Sequence, residues 1–600
     1  MLEKAFQGFL DNLKVRNPRQ LILINPQLIP EEFFDLSVAR RGGYYAYPPM
    51  GLVYIAAVAK QINPQIDVKI LDLNYELLRH SKSENFSYRY WQNLLVEAIE
   101  KCDAPHVGIS YMFGTTKPSF TEVSRFVRKN FPHVPVLTGG VQASYDYKEL
   151  LESNLCDIVF RKEGEMPFKV FLESCISGQA VDVPRGTCFN LDGTYYELGE
   201  PQDEAPIDWD IRSVYSLINI EEYHKFGSLG AFSKYNGEEK SFATVLGNRG
   251  CRARCTFCTV RDFNGFGIRQ RTVESVIDEI KYLVRERGIN QIDWLDDDLL
   301  WNPQRAVDLF KGLATEIPEL EWLCSNGLIA VAISEEIMEW MVKSGMKAFK
   351  IGIESGNDEM LHAIKKPTTK PKLREKKKLF KKYPEVLVSA NFILGFPKET
   401  FGQMMDTYNF ARELDFDWSS FYICQPLKGT EMFSAFQELG DDRCEEERYD
   451  KTLNPGRSAA RGEFGYSFQS SEDTLRKGKD VFNLPLDTIP NNEQLKEIWF
   501  TFNLVANFLN NPNFAPGGNP AKIVKWLLAI HSGYPYDASM SAALVRGYKL
   551  LNNQEKATYY REKFKSLVDD SPYWQRRVKE FPELLLMAEA SAANQILQNV

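Results

Sequence analysis

Three cysteines lie within eight residues of one loop: Cys251, Cys255 and Cys258. Their C-x3-C-x2-C spacing supplies three thiolates, one fewer than a closed tetrahedral zinc site needs and enough to hold three irons of a cubane cluster. A cubane bound in this way keeps its fourth iron open for a substrate or cofactor. Arginines close to the motif favour the thiolate form of these side chains. The spacing therefore predicts a metal cluster with an accessible coordination position.

Two other interpretations of the same cysteines remain open from the spacing alone. The first is a zinc knuckle completed by a distant side chain such as His224 or Asp262, because C-x-x-C patterns also occur in zinc sites. The second is three unrelated core cysteines. The sequence around the loop has to decide between these interpretations.

Length and charge limit the classes of protein that the chain can belong to. Six hundred residues predict several domains with buried cores. The formal net charge of -9 disfavours a nucleic-acid-binding protein. The other cysteines are scattered singly, which is not the pattern of a secreted disulfide framework. The N-terminus shows no signal-peptide pattern and no apolar run is long enough to span a bilayer, so we expect a cytoplasmic protein.

Short apolar strands alternate with helical patterns over residues 20–170. This alternation predicts a doubly wound parallel sheet of the Rossmann-like type. Ligands of such sheets bind beyond the carboxyl ends of the strands, where this sequence places Pro, Gly, Ser and Glu residues. A single ligand at this edge would explain the whole group: Pro49, Gly51, Leu52, Ser110, Gly139, Gly140, Glu163, Gly164 and Glu165.

Strand–helix units resume at residue 242, after a hairpin near residues 187–198 and a linker rich in acidic residues and proline. Six such units predict a partial (β/α)6 TIM-type barrel, whose active site would lie at the C-terminal ends of the strands. The cysteine loop follows the first of these strands. From residue 492 onward the pattern is helical, and residues 440–480 could form a mobile or substrate-covering segment.

Four domains are predicted from this pattern. Residues 1–180 form the Rossmann-like domain, 181–240 the hairpin and linker, 241–435 the partial barrel, and 436–600 a helical C-terminal domain. The overall fold class is therefore α/β with an appended helical domain.

The motifs resemble those of radical S-adenosylmethionine (SAM) enzymes. The C-x3-C-x-F-C motif, with Phe257 before the third cysteine, resembles the signature of that family. Residues 349–356 resemble its fourth-strand segment, and 426–430 the stretch after its sixth strand. Residues 391–399 resemble its G-x-I-x-G-x-x-E segment with two departures: Asn391 replaces the first Gly, and Glu399 falls one residue late.

A further departure resembles one branch of the family. Asp296, Asp297 and Asp298 stand where Gly-Gly-Glu is usual, which is common in the branch that carries an N-terminal cobalamin-binding domain. Residues 20–170 resemble that domain, so the resemblance covers about residues 20–435. It implies that the residues at the sheet edge bind cobalamin. Since the loop at 25–32 contains no histidine, we expect base-off cobalamin without a histidine ligand.

The resemblance also implies a set of cofactors and ligands. A 4Fe-4S cluster on the three cysteines would bind SAM and, once reduced by an external donor such as flavodoxin or ferredoxin, cleave it to a 5′-deoxyadenosyl radical. Two residues keep structural alternatives, namely Asp298 as a helix cap and Glu354 as an ion-pair partner. The SAM-binding residues that the resemblance implies are Phe257, Asp296, Asp297, Asp298, Glu354, Ser355, Gly395 and Pro426.

The resemblance predicts a cobalamin-dependent methyltransferase that acts on an unactivated carbon of a small molecule, a natural product or a lipid. One alternative keeps both cofactors but carries out a cyclisation or an oxidative rearrangement without methyl transfer. An alternative from another class is a metal-cluster-bearing binding protein with a helical interaction domain. The mass of the product distinguishes the first two, and formation of 5′-deoxyadenosine distinguishes both from the third.

Overall fold

The computed structural model describes residues 2–200, 206–444 and 482–589. Beyond residue 444, the segment predicted to cover the substrate lies outside these ranges. Within them, no helix is long and apolar enough to cross a membrane.

The first part of the chain alternates helices and strands. In chain order these are α1 (Leu2–Asn12), β1 (Gln20–Asn25), α2 (Leu36–Arg40), α3 (Met50–Ile62), β2 (Asp67–Asp72), α4 (Leu73–His80), α5 (Tyr90–Glu100), β3 (Pro105–Ser110), α6 (Lys117–Asn130), β4 (Val136–Gly139), α7 (Val141–Glu152), β5 (Ile158–Phe160), α8 (Glu165–Ser177), β6 (Thr187–Leu191), β7 (Thr194–Glu197) and α9 (Tyr223–Phe226).

The middle of the chain repeats a strand–helix pattern. Its elements are α10 (Ala231–Tyr235), β8 (Phe242–Val245), β9 (Asn248–Arg249), α11 (Val260–Asn264), β10 (Arg269–Gln270), α12 (Val273–Arg285), β11 (Gln291–Trp294), α13 (Pro303–Glu316), β12 (Glu321–Leu328), α14 (Glu335–Lys343), β13 (Met346–Glu354), α15 (Asp358–Ala363), α16 (Lys370–Phe380), β14 (Leu387–Leu394), α17 (Phe401–Leu414), β15 (Trp418–Ile423) and α18 (Glu431–Glu438).

The C-terminal part that the structure describes is helical, as predicted. Its helices are α19 (Asn492–Leu504), which continues into a π-helical turn (Val505–Leu509), α20 (Pro520–His531), α21 (Ala538–Leu550), α22 (Gln554–Asp569), α23 (Pro572–Glu580) and α24 (Glu583–Glu589).

The chain divides into two compact units. The first contains Met1–Ser228, Ser241–Gly250 and Thr259–Ile289, and the second contains Leu229–Lys240, Cys251–Cys258 and Asn290–Val600. The cysteine loop therefore belongs to the second unit, and the arginine-containing strand before it belongs to the first.

The first unit is built on a seven-stranded sheet in the order β2-β1-β3-β4-β5-β6-β7. Strands β1 to β5 are parallel, as the alternation of strands and helices predicted. The predicted hairpin is present as β6 and β7, and it extends the sheet with two antiparallel strands. The parallel sheet predicted over residues 20–170 is therefore confirmed. The hairpin adds an antiparallel edge to it, because a two-residue connection can join only antiparallel strands.

The second sheet has six strands in the order β15-β14-β13-β12-β11-β8. The recorded pairings from β11 to β15 are parallel, and the fold is the predicted partial barrel. Aromatic side chains on the outer face of these strands pack on the helices. Trp322 stacks on Phe310 of α13 at 5.2 Å, and Phe349 meets Phe380 of α16 at 5.2 Å. Side chains of opposite parity on the same strands therefore point to the inner face.

An asparagine ladder pairs with the backbone of the edge strand β15. Asn503 and Asn507 each accept from a strand N–H and donate to the carbonyl of the same residue, Phe421 and Ser419 respectively. Asn511 donates to the carbonyl of Asp417 at 2.8 Å. Asn503 and Asn507 lie on one side of α19 and its π-helical continuation, and Asn511 follows this segment as the N-cap of the next turn. The helical segment thereby satisfies an edge that would otherwise be open to pairing with another chain.

Candidate functional site

The cysteine loop is fixed to the second unit through its backbone. The N–H of Thr256 donates to the carbonyl of Ile364 at 3.1 Å, and the carbonyl of Thr256 accepts from the N–H of Met432 at 2.9 Å. These bonds lie between Cys255 and Cys258. All three cysteines lie outside disulfide bonds and are half-buried. The loop is thus held at its middle while its thiols stay partly accessible.

Phe257 anchors the loop by apolar contact. Its ring lies 6.2 Å from that of Phe396, and it packs against a buried cluster that includes Ile364, Met432 and Phe436. Full burial of an aromatic side chain contributes roughly 1.5–3 kcal/mol, and the half-buried Phe257 contributes part of this. Phe257 therefore has a structural role in this unit, and its contact with SAM stays a prediction.

Arg252 joins the loop to the end of β11. Its Nε and Nη2 donate to the two oxygens of Asp298 at 2.5 and 2.8 Å, and its guanidinium lies 5.0 Å from the centre of the Trp301 ring. The Asp298 side chain is only 1% exposed. The helix-cap alternative is wrong, because the N-cap of α13 is Asn302. The carboxylate of Asp298 instead holds the loop.

The two preceding aspartates lie on the same turn. Asp296 is buried and Asp297 is half-buried. The carbonyl of Asp296 accepts from the side chain of Asn326 at 3.0 Å, which fixes the backbone of the turn. Their contact with the SAM amino group stays a prediction.

Glu354 forms a buried ion pair with Lys366 at the end of β13. The Lys366 ammonium donates to Oε1 of Glu354 at 2.8 Å, and the two side chains are 15% and 10% exposed. Burial alone would lower the pKa of Lys366, but the charges of Glu354 and Cys255 raise it. The predicted ion-pair alternative for Glu354 is thus present in the structure. It does not exclude a ligand contact, because only one oxygen takes part in this bond.

The backbone at Glu354 is strained. Its φ is +72°, an unusual value for a residue other than glycine, and the pairing of β13 with β14 is irregular between Gly352 and Glu354. A Cβ added to Gly352 would lie 2.4 Å from Oε1 of Glu354 and 3.0 Å from Nζ of Lys366. A side chain at this position would therefore displace the ion pair, which lies directly over Gly352. Strain of this kind is characteristic of ligand-binding sites.

Three further predicted SAM residues have other surroundings. Ser355 is fully buried, and its hydroxyl bonds to that of Thr407 at 3.1 Å. Gly395 has a φ of +80°, and a Cβ there would lie 2.5 Å from the side chain of Leu495. Pro426 is buried. The close approach at Gly395 in this structure is made by a leucine, and adenine contact at this glycine stays a prediction.

The chemistry of the thiols fits a bound cluster. Burial raises the pKa of Cys251 to about 11, although its sulfur accepts a hydrogen bond from the N–H of Ala253. Burial also raises the pKa of Cys255, and the Lys366 charge opposes that rise. Metal binding would therefore displace protons from these thiols. Among the described residues, no three Cys, His, Asp or Glu side chains are gathered around one ion. In a cubane, by contrast, each thiolate binds a different iron.

The predicted cobalamin residues follow the carboxyl ends of the sheet strands in the first unit. Ser110 ends β3, Gly139 ends β4, and Pro49 precedes α3, which contains Gly51 and Leu52. Gly140 has a φ of +119°, and a Cβ there would lie 2.6 Å from the carbonyl oxygen of Tyr111. By contrast, a Cβ on Gly51 would meet nothing within 4 Å. Gly51 therefore leaves room for a ligand at the start of α3.

Glu163 and Glu165 are ion-paired within the same unit. Arg249 donates to Glu163 at 3.0 Å and to Glu165 at 2.5 Å, and Arg269 also binds Glu163. The guanidinium of Arg249 lies 5.0 Å from the ring centre of Tyr54 on α3. Burial alone would raise the pKa of Glu165, but Arg249 holds it below its usual value. These carboxylates are thus held around Arg249. The role in cobalamin binding of the turn that contains them, residues 163–165, stays a prediction.

Sequence reasoning did not find the partners Lys366 and Arg249. Lys366 belongs to a run of lysines with no distinguishing pattern. Arg249 was interpreted only as one of the positive charges near the cysteines that favour their thiolate form. Arg249 lies two residues before Cys251, and that spacing was the one available signal.

Comparison with known families assigns both parts of the chain. Residues 245–411 match the radical SAM superfamily, and residues 38–172 match the B12 binding domain. This chain therefore carries a radical SAM domain and a B12-binding domain. The zinc-knuckle and core-cysteine interpretations of the triad are set aside, because the motif occurs inside the matched radical SAM region.

One relative of this radical SAM protein is an uncharacterized methyltransferase, PH0819, from Pyrococcus horikoshii. It is 29% identical over 387 residues, which cover 64% of this chain and 78% of the relative.

Two solved structures share the fold. One is the radical SAM methyltransferase TsrM from Kitasatospora setae, with cobalamin and a 4Fe-4S cluster bound (TM-score 0.55, 16% identity, 70% of this chain and 78% of that chain). The other is the cobalamin-dependent radical SAM enzyme OxsB, with aqua-cobalamin and SAM bound (TM-score 0.54, 14% identity, 96% of this chain and 85% of that chain). The match to OxsB extends the likeness over the helical C-terminal part.

Proposed function

We propose that this protein is a cobalamin-dependent radical SAM methyltransferase that acts on an unactivated carbon of a small molecule. The observation that carries the proposal is the thiol triad beside a buried Lys366–Glu354 pair, in a chain that also has a B12-binding domain. Methyltransferases among its relatives support methyl transfer, and a cyclase among them keeps the cyclisation alternative open.

The residues of the cysteine loop would hold the cluster and orient its ligand. Cys251, Cys255 and Cys258 would bind three irons. A 4Fe-4S cluster supplies reductive cleavage of SAM when it is bound. Glu354, with its free oxygen and strained backbone, would bind SAM together with Ser355, Asp296 and Asp297. Arg252 and Asp298 keep the loop in place, and Phe257 closes its apolar side.

The rim of the first unit would hold cobalamin. Gly51 leaves space at the start of α3, and Gly140 allows the strand-end turn to lie against Tyr111. The loop after β1 offers no histidine, and Asn25 at the end of that strand donates to Asp72 at 2.9 Å. We therefore propose base-off binding without a histidine ligand, with cobalamin acting as the methyl carrier.

An external one-electron donor such as flavodoxin or ferredoxin completes the proposal. We propose a cytoplasmic enzyme with no nucleic-acid partner, supported by the negative net charge.

The test uses the anaerobically reconstituted holoenzyme with SAM that carries a trideuterated methyl group. Incubation with a small-molecule extract should yield a product in which a trideuterated methyl group replaces one hydrogen, and 5′-deoxyadenosine should form alongside it. Omitting cobalamin should abolish the labelled product. A product of unchanged carbon count that requires both cofactors would instead establish the cyclisation or rearrangement.

A metal-cluster-bearing binding protein without catalytic activity is the alternative from another class. It predicts no 5′-deoxyadenosine under any reducing condition.

A further inference from the structure

A layer of polar side chains lines the inner face of the barrel sheet in the second unit. Lys350 pairs in register with Ser389, and Gly352 pairs with Asn391. On the next strand, Asn391 pairs with Ser420. Paired residues share a face, and Phe349 on the opposite face packs against α16, so this set points inward. Barrel interiors are usually filled by branched apolar side chains, which makes a polar layer here unusual.

Lys350 is the one inner-face cation of β13. Its ammonium lies 5.4 Å from the ring centre of Phe232, and in the described ranges it makes no ion pair within 4 Å of a carboxylate. The nearby Asp293 uses its two oxygens to accept from the N–H and hydroxyl of Ser325. The charge of Lys350 opposes the rise that burial causes in the pKa of Asp293. Since no carboxylate of the described residues lies within ion-pair distance, the ammonium donors of Lys350 remain available to a bound acceptor.

Two neighbouring acceptors are also unsatisfied. Oδ1 of Asn391 and Oγ of Ser389 are buried and have no hydrogen-bond partner in the parts of the chain that are described. Ser389 is 0% exposed. An unsatisfied buried polar group costs about 1–3 kcal/mol, so such groups usually have a partner when the protein is at work. Here the partner would be a bound molecule.

The inner face opens toward the strand ends that carry the cofactor residues. Exposure along β15 rises from 9% at Trp418 to 45% at Tyr422. Gly352, on the level of Asn391, lies directly under the Glu354–Lys366 pair. Two residues along a strand span about 6.6 Å, so Lys350 lies about that far below the level of Gly352. A molecule held at Lys350 would thus extend upward toward the SAM-binding residues.

We propose that Lys350 and Asn391 form the substrate subsite of the barrel. They would select a small molecule with an anionic group, a carboxylate or a phosphate, which Lys350 binds, and a hydroxyl or amide N–H, which Asn391 accepts. This inference rests on the proposed function but names residues and a substrate class that the proposed function leaves open.

The test measures anion binding to the full-length protein without turnover. Thermal unfolding of the wild type is measured at rising concentrations of malonate, which is the carboxylate probe, and separately of inorganic phosphate, which is the phosphate probe. Chloride at matched ionic strength is the reference. We expect a saturating rise in Tm with one of the two probes, which identifies the anionic group. Lys350→Met should weaken that binding about tenfold. Lys347→Met is the matched control, because Lys347 lies on the same strand, ion-pairs with Glu321 and should bind as the wild type does.

A second variant keeps the inference falsifiable if Lys350→Met does not fold. Asn391→Ala should leave malonate binding unchanged, because the malonate dianion carries no hydrogen-bond donor for Oδ1 of Asn391; phosphate, whose P–OH can donate, is not used for this comparison. For the substrate test, a small-molecule extract is passed over an anion-exchange column, and the retained fraction is offered to the enzyme. The incorporation of labelled methyl is then measured, and Asn391→Ala should show a higher KM for this fraction than the wild type. Three results would each overturn the subsite. The first is no saturating Tm shift in the wild type, and the second is an equal shift in Lys350→Met. The third is labelled product only from the fraction that the column does not retain. Formation of 5′-deoxyadenosine by the wild type tests the proposed function separately.

Discussion

Arg252 and Asp298 form a two-point ion pair between the cysteine loop and the end of β11, with donor–acceptor distances of 2.5 and 2.8 Å. Asp298 also accepts from the backbone N–H of Arg252 at 3.3 Å. Because such bidentate pairs fix geometry as well as charge, this one sets the conformation of the residue after Cys251. An acidic residue that resembled a SAM ligand in the sequence therefore orders the cluster loop.

Asp298→Ala should lower the iron content after reconstitution severalfold. The substitution leaves Arg252 without its partner and frees the first cysteine of the loop to move. Iron and sulfide analysis with the 4Fe-4S absorbance measures the effect. Asp308→Asn on α13, where the carboxylate contacts only the exposed Gln304 in the described part, serves as the control and should retain full iron content. Equal iron in both variants would contradict this role of Asp298.

Lys366→Met should destabilise the second unit by about 3–5 kcal/mol and weaken SAM binding. It leaves the buried Glu354 carboxylate without a compensating charge. Denaturant unfolding and equilibrium SAM binding measure the two effects. Glu354→Gln combined with Lys366→Met should recover part of the lost stability, since no buried charge then remains. Lys365→Met is the control, because the adjacent Lys365 pairs with Glu431 at the surface. It should change stability and SAM binding little.

Arg249→Ala should destabilise the first unit by about 3–5 kcal/mol and weaken cobalamin binding. Glu163 and Glu165 would lose the charge that keeps them ionised while buried, and the turn that opens α8 would shift. Cobalamin titration by absorbance and denaturant unfolding provide the measurements. Arg19→Ala removes an ion pair whose partners are 72% and 73% exposed, and it should change neither quantity. Unchanged cobalamin affinity in Arg249→Ala would show that the turn does not contribute to the site.

His106 should make the first unit sensitive to acid. Burial lowers its pKa from 6.5 to about 4, although Nε2 bonds to the carbonyl of Val15 at 2.8 Å. Because the folded-state pKa is depressed, stability is complete above pH 6.5 and is lost as the pH falls from 6.5 toward 4. The loss amounts to about 3 kcal/mol for a shift of this size. His106→Gln cannot take up the proton, so its unfolding free energy should vary less over this window. Parallel pH profiles for both proteins would contradict the assignment.

Periodicity in the sequence was sufficient to predict most of the fold. The strands that begin at Gln20, Asp67 and Leu387 coincide with short apolar segments of the sequence, because the strands of a parallel sheet are buried on both faces. The antiparallel addition of β6 and β7 was not predicted, because a hairpin pattern does not specify which sheet edge it joins. The pairing of Asn503, Asn507 and Asn511 with β15 was also missed. Asparagines at four-residue spacing on a helix carry no signal of a strand edge 80 to 90 residues away.

The candidate site was predicted in outline rather than in its contacts. The cysteine spacing located the cluster loop, because ligand number and spacing follow from the metal chemistry itself. The roles of Asp298 and Glu163 depended on partners that sequence spacing cannot reveal, since Arg252 and Arg249 reach them only through the tertiary fold. A carboxylate at a strand end is equally suited to a ligand or to an arginine, and geometry decides between them.

Reductive cleavage of SAM by the cysteine triad is the most direct test of the account. The protein is reconstituted with iron and sulfide, reduced without oxygen, and incubated with SAM, and 5′-deoxyadenosine is quantified by mass spectrometry. The account predicts 5′-deoxyadenosine from the wild type and from Cys102→Ala, and none from Cys255→Ala. Equal product from Cys255→Ala, or none from a wild type that holds four irons per chain, would contradict it.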